Sequence, residues 1–156
     1  GGGTWQVSDL NYRLMKPDDP GNIQMISEGN SPAFVVTDPD TFVNGTVEIV
    51  GEEETLVFDY AQLAMSTSVQ MDGLRVVDVY TTTNGDSASK GAMTLTCQVN
   101  GITVTVRTAV LLDENGALIT EDAYIGRTIN VRGIVDYYNG DYQIKVFTAD
   151  NITIVN

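Results

Sequence analysis

The sequence contains no histidine, a single cysteine and only 8 lysine and arginine residues. The lack of imidazole excludes histidine-dependent catalytic triads and histidine-ligated zinc. A lone Cys97 cannot form a disulfide within the chain. No apolar stretch approaches the roughly 20 residues that a membrane-spanning helix needs, so we expect no transmembrane segment. No signal peptide is recognisable either.

Basic residues are scarce relative to acidic ones, which number 21 and leave a formal net charge of −13. Nonspecific nucleic-acid binding rests on lysine and arginine contacts to phosphates, so this charge disfavours it. The imbalance is uneven: residues 1–64 hold 2 basic and 11 acidic residues, whereas residues 65–156 hold 6 and 10. The smaller charge imbalance of residues 65–156 therefore leaves room for a local basic face on that part of the protein.

Motifs for catalysis and phosphate binding are also missing. The chain has no P-loop pattern, no GxGxxG after a strand and no GxSxG. Cys97 shares an alternation face with Leu95 and Val99, which predicts a buried small side chain rather than a nucleophile. We therefore predict that the protein is not an enzyme and has no cofactor.

Acidic turn residues are the remaining candidates for metal chemistry. Asp38 and Asp40 lie near Asn44, and Asp113 and Glu114 precede Asn115-Gly116. Neither group has the spacing of a twelve-residue calcium loop. Because Asp and Asn bond their own backbone in turns, these residues need no ion to explain them. No metal site is predicted.

The chain is rich in segments where apolar and polar residues alternate, a period that is typical of strands with one buried face. Asn-Gly pairs at positions 84–85, 100–101, 115–116 and 139–140 separate these segments. Asn-Gly favours the type I′ turn of a two-residue hairpin. The clearest hairpin surrounds residues 139–140, and a further extended piece follows it.

The order of the predicted elements indicates a fold class. The pattern predicts a long strand over 74–82, a hairpin of strands 93–99 and 102–112, a short helix capped by Thr120 and stopped by Gly126, and two more strands. Three strands, a short helix and two strands is the order of an OB-fold barrel. We predict an all-β protein in which residues 65–156 form a five-stranded OB-fold-like barrel.

Residues 1–64 are predicted to form a β-rich N-terminal extension that packs on the barrel. The predicted elements are an edge strand or docked arm at Trp5, Val7, Leu10 and Tyr12, a short strand at 33–36 that breaks at 37–40, a hairpin of strands 46–50 and 55–58, and a short helix over 59–65.

The outward side chains of the later strands form the candidate ligand site. OB-fold barrels bind single strands or sugars across their second and third strands and nearby loops. The predicted ligand-binding residues are Thr103, Thr105, Arg107, Arg132, Tyr138 and Lys145, with Tyr80, Tyr137, Tyr142 and Phe147 as further stacking surfaces. The alternative is an ordinary solvated sheet face.

The stretch GRTINVRGIVDYYNGDYQIKVFTADNITIV, residues 126–155, resembles OB-fold modules in secreted or lipid-anchored proteins of Bacteroidetes. The matching features are the strand at 126–133, residues 137–140, the Tyr142-Gln143 pair and residues 150–152. Some of those modules accompany extracellular nuclease or phosphatase domains. The resemblance implies an extracytoplasmic setting and an accessory role, and it marks no catalytic residue.

These observations predict a non-enzymatic, extracytoplasmic binding or assembly module. A glycan, a peptide or a protein partner would each suit it, and the sequence does not choose among them. The alternative is a single-stranded nucleic-acid-binding OB domain. The fold and the few basic residues favour that alternative, and the net charge of −13 opposes it.

Overall fold

The computed structural model describes residues 25–156, so the edge strand or arm predicted for residues 5–12 lies outside the described residues. The N-terminal part contains β1 (Val35–Val36), α1 (Pro39–Asn44), β2 (Thr46–Val50), β3 (Thr55–Asp59) and α2 (Tyr60–Leu63). The C-terminal part contains β4 (Ser68–Thr81), β5 (Met93–Val99), β6 (Ile102–Thr108), β7 (Thr128–Tyr138), β8 (Asp141–Val146) and β9 (Ile152–Ile154). Short 3-10 helices span Glu121–Ala123 and Ala149–Asn151. The prediction of a mostly β protein is confirmed.

Seven of these strands form one sheet in the order β1-β4-β5-β6-β8-β7-β9. Strand β4 pairs additionally with β7, so the strands form a partial ring. The β6–β8 and β1–β4 pairs are parallel, and the other pairs are antiparallel. Strands β2 and β3 form a separate two-stranded sheet.

The long strand β4 changes partners along its length. Its first half pairs with β7 and its second half with β5. The register shifts between Met71 and Leu74 and again after Val76, which marks two bulges. Gly73, at the first bulge, has a φ of +72° that suits glycine. Bulges increase local twist, and this allows one strand to serve two neighbours.

The hydrophobic core lies inside the ring. Its largest fully buried side chains are Met71, Leu74, Met93, Leu95, Leu111, Ile129 and Ile144. Phe42 of α1 and Ala61 of α2 belong to the same cluster, as does Tyr124 after the first 3-10 helix. Strand β4 begins just after α2, and Thr81 at its far end donates a 3.3 Å hydrogen bond to Glu121. Helix α2 and the 3-10 helix Glu121–Ala123 therefore lie at opposite ends of β4.

Helix α1 occupies residues that the sequence analysis interprets as a break. Asp38 is its N-cap and accepts a 3.0 Å hydrogen bond from the Thr41 backbone N–H. Pro39 takes the first helical position, where its missing N–H costs nothing. The predicted break after the strand at 33–36 is confirmed, since β1 ends at Val36, and helix α1, which was not predicted, starts at the same break. No helix within residues 25–156 is long and apolar enough to cross a membrane.

The Asn-Gly signals differ in outcome. Asn100, Gly101, Asn139 and Gly140 all have positive φ, which confirms two-residue hairpins at β5–β6 and β7–β8. By contrast, Asn84-Gly85 lies in a longer connection over residues 82–92. Hydrogen bonds from Gly91 N–H to Thr82 O and from Thr82 N–H to Ala92 O close this connection. The predicted strand at 102–112 ends earlier, at Thr108, and the predicted helix after Thr120 is a single 3-10 turn.

The β2–β3 hairpin is present as predicted, with pairs from Thr46↔Asp59 to Val50↔Thr55. Within residues 25–156, neither strand pairs with a third strand. Large apolar side chains remain exposed at Ile49 (48%), Val50 (77%), Leu56 (44%) and Val57 (60%).

Candidate ligand-binding cleft

A cleft of about 460 Å³ opens beside the first residues of β6 and β8. Three parts of the chain line it. Strand β6 contributes Thr103, Val104 and Thr105, and the β7–β8 hairpin contributes Gly140, Asp141 and Tyr142. Helix α1 contributes Phe42 and Val43, and the end of β3 contributes Asp59. The parallel pairing of β6 and β8 starts only at Val106↔Ile144. The preceding residues of the two strands are not paired with each other, and the cleft lies there.

The alternation of β6 places its threonines on the outward face of the sheet. Val104 and Val106 are buried, whereas Thr103 is exposed and Thr105 is half-buried. Thr103 lies opposite Gln98 of β5, and Thr105 lies opposite a threonine, Thr96. The predicted site residues Thr103 and Thr105 therefore both reach the cleft, where each hydroxyl can donate and accept a hydrogen bond.

The β7–β8 turn positions the aromatic wall. The tight turn at residues 139–140 sets Tyr137 opposite Tyr142, and their ring centroids are 4.9 Å apart. Burial raises the pKa of Tyr142, and so do the carboxylate of Asp59 and the nearby Tyr137. The Tyr142 hydroxyl consequently stays protonated at neutral pH and can donate a hydrogen bond.

The cleft is acidic. Within residues 25–156, Asp59 and Asp141 are its charged lining residues, and no lysine or arginine of that range lines it. Both carboxylates are exposed, and neither forms an ion pair with another described residue. The wall thus combines carboxylate acceptors, hydroxyls and the aromatic rings of Phe42 and Tyr142.

Arg107, a predicted ligand-binding residue, is half-buried and hydrogen-bonded within the protein. Its Nη1 donates to Thr94 Oγ1 at 3.0 Å and to Ala92 O at 3.5 Å, and its Nη2 donates to Thr82 Oγ1 at 3.0 Å. These contacts tie the 82–92 connection to β5 and β6. The structure does not place Arg107 in the cleft lining.

The other two predicted cations also have partners. Lys145 lies beside Arg107 across the β6–β8 pairing, and its Nζ is 3.9 Å from Oδ2 of the buried Asp136. Arg132 Nε donates a 2.8 Å hydrogen bond to Gln70, and its guanidinium lies 5.8 Å from the Phe34 ring centroid. The three cations do not line the cleft.

Tyr138 stands at the end of β7 and pairs with Asp141, a cleft residue. Its ring is 68% exposed, so it is available as a stacking surface at the rim of the hairpin. It does not line the cleft. Of the six predicted ligand-binding residues, the structure therefore brings Thr103 and Thr105 into the cleft and Tyr138 next to it.

Six cleft residues were not predicted as site residues from the sequence: Phe42, Val43, Asp59, Val104, Gly140 and Asp141. The first two lie on α1, whose start is marked by Asp38 and Pro39. That signal was present in the sequence. Nothing local to Asp59 or Asp141 indicates that two positions so far apart in sequence share one cleft.

The lone thiol and the acidic turns do not contribute to the cleft. Cys97 is fully buried, and burial raises the pKa of its thiol to about 12. Asp38 caps α1 and Asp113 accepts hydrogen bonds from its own turn, at Asn115 N–H and Ala117 N–H. Within residues 25–156, no group of three or more Asp, Glu, Cys or His side chains is arranged to hold a metal ion.

No known family model matches the chain, and the search of curated proteins found no match.

Proposed function

We propose that residues 65–156 form an OB-fold barrel that serves as a ligand-binding module. The support is the order of pairing: β4, β5, β6, β8 and β7 follow one another, and β4 also pairs with β7. Counted in chain order from β4, β6 is the third strand and β8 is the fifth. Their parallel pairing is the one that OB-fold barrels have between the third and fifth strands. The cleft lies at the third strand in chain order and at the turn between the last two, and OB-fold barrels bind ligands at these positions.

The ligand that suits the cleft best is a neutral glycan. The observation that carries this proposal is the cleft wall, which combines Asp59, Asp141, two threonine hydroxyls and Tyr142, with no cation from residues 25–156. Carboxylates and hydroxyls can accept and donate hydrogen bonds to sugar hydroxyl groups, and aromatic rings offer their apolar faces. A phosphate backbone would instead meet two carboxylates.

The module is proposed to act without catalysis, outside the cytoplasm. The absence of histidine in the sequence and the protonated, buried Cys97 support a binding role over nucleophilic chemistry. The extracytoplasmic setting rests on the resemblance to modules of secreted and lipid-anchored proteins.

The test is calorimetric titration with neutral oligosaccharides, including glucan, mannan and xylan fragments. We expect binding that weakens at least about tenfold in Asp141→Asn, because a hydrogen bond to a charged group contributes about 1.5–3 kcal/mol. Asp122→Asn is the matched control, since Asp122 is an exposed acid that does not line the cleft. Turnover of any oligosaccharide would contradict the non-enzymatic role.

Single-stranded nucleic-acid binding is the second candidate, and the adjacency of Arg107 and Lys145 on β6 and β8 favours it. We rank nucleic-acid binding below glycan binding because Arg107 and Lys145 already have partners within the protein and the net charge is −13. A mixed-sequence oligonucleotide at ~50 mM salt provides the comparison, since phosphate contacts are strong at low salt. The ranking reverses if the oligonucleotide binds, Arg107→Ala weakens that binding, and no oligosaccharide binds.

A further inference from the structure

The β2–β3 hairpin exposes more apolar surface than a solvated hairpin needs. Ile49, Val50, Leu56 and Val57 are 44–77% exposed. A two-stranded hairpin is marginally stable alone in water and normally packs on something. Ile49 and Leu56 adjoin each other across the strand pair, and exposed apolar patches mark interaction sites.

The register places these side chains on both faces of the hairpin. Ile49 lies opposite Leu56, and the half-buried pair Val47↔Phe58 shares that face. Val50 and Val57 point to the other face, because successive side chains of a strand alternate. The first face therefore continues from half-buried residues near the body of the protein to exposed residues near the tip.

The hairpin also presents open strand edges. Within residues 25–156, β2 and β3 pair only with each other. Alternate backbone N–H and C=O groups on the outer side of each strand then point away from the pair, which makes a template for a further strand. An added strand would satisfy these groups and place its own side chains against both faces.

The charge of the hairpin restricts what can add to it. Residues 46–59 contain five acidic residues and no basic residue. The acidic residues are Glu48, Glu52, Glu53, Glu54 and Asp59. A second copy of the hairpin would bring like charges together, which costs free energy, whereas an added strand that carries lysine or arginine would be complementary.

We propose that the β2–β3 hairpin is a docking site for an extended, basic segment of a partner protein, which adds to it as a third strand. Backbone hydrogen bonds provide the strand pairing, and the alternating apolar side chains of the segment extend the face of Ile49 and Leu56. Lysine or arginine side chains of the segment lie against Glu48 and the acidic tip. This surface is separate from the cleft lining apart from Asp59.

The experiment uses the 156-residue chain and a synthetic peptide of alternating valine and lysine, followed by amide NMR shifts and hydrogen exchange. We expect shifts concentrated in residues 46–59, slowed exchange there, and weaker binding at high salt because exposed charges are screened. A peptide of alternating valine and glutamate should not bind.

Charge reversal at the tip tests the complementarity without altering the apolar residues. Replacing Glu52, Glu53 and Glu54 together with lysine should weaken binding of the valine–lysine peptide at least about tenfold. The matched control replaces Asp86, Glu114 and Asp122 with lysine, because these exposed acids lie elsewhere and change the net charge equally. An equal effect of both triple variants would show a long-range charge effect and overturn the docking site.

Three further results would overturn the proposal. The first is no binding of the valine–lysine peptide at millimolar concentration. The second is binding that shifts residues outside the hairpin only. The third is a dimer in sedimentation analysis that Leu56→Lys dissociates, because the hairpin would then be covered by a second copy of the chain.

Discussion

Gln143 and Asp136 are joined by a 2.8 Å hydrogen bond from Nε2 to Oδ2, and both side chains are buried. They lie opposite each other on β8 and β7. The Nζ of Lys145 is 3.9 Å from the same carboxylate oxygen. A buried charge is costly unless it has such partners, so this group of three fixes the β7–β8 pairing where it adjoins the turn.

We expect Gln143→Leu to lower the free energy of unfolding by about 1–3 kcal/mol, because the buried carboxylate loses its amide donor. Replacing both Asp136 and Gln143 with leucine should cost less than the sum of the two single changes, since no buried polar group is left unpaired. Urea denaturation measures these values, with the exposed Gln98→Leu as a control. Additive costs would contradict the coupling.

Gly133 of β7 is a second test, because a side chain has no space there. A Cβ at this position would overlap the backbone carbonyl oxygen of Lys145 and lie 2.7 Å from Cγ2 of Ile144. We expect Gly133→Ala to destabilise the protein by about 1–3 kcal/mol, or more where the strands cannot separate. Gly85→Ala is the control, since Gly85 has open space around it. Equal melting temperatures of the two variants would show that the close approach is absent.

The buried thiol predicts a pH dependence of stability. Burial raises the pKa of Cys97 from 9.0 to about 12, so the folded chain keeps a proton that the unfolded chain loses above pH 9. This contribution to stability is complete below pH 9 and is lost as the pH rises towards 12. Relative to Cys97→Ala, the wild-type chain should lose about 1.4 kcal/mol per pH unit in this window. Urea denaturation at several pH values measures the difference, and parallel curves for the two proteins would contradict it.

Local sequence signals predicted the parts of the fold that local chemistry determines. The Asn-Gly pairs at 100–101 and 139–140 lie between strongly alternating segments, and both form tight hairpins. Asn84-Gly85 does not form a tight hairpin, because residues 86–92 that follow it carry no strand pattern and the backbone closes at Thr82 and Gly91 instead. The exchange of partners along β4 depends on contacts with β7, which no local pattern encodes.

The sequence predicted only the part of the cleft that β6 contributes. The alternation of β6 correctly placed Thr103 and Thr105 on the outward side of the sheet. Asp59 and Asp141 line the same cleft because α1, before β4, packs against β6, and this is a tertiary contact. Arg107 has the same alternation as the two threonines, yet the 82–92 connection supplies it with acceptors inside the protein.

The pairing of β4 with β7 also sets the timing of folding. It joins residues far apart in sequence, such as Gln70 and Arg132, which are 62 positions apart. Contacts of this separation form late, because the chain must first pay the entropy of closing a long loop. As the chain emerges from its N-terminus during synthesis or export, the first half of β4 has one edge unpaired until β7 follows. Between the appearance of the first half of β4 and that of β7, a newly made chain is most open to pairing with a neighbouring chain.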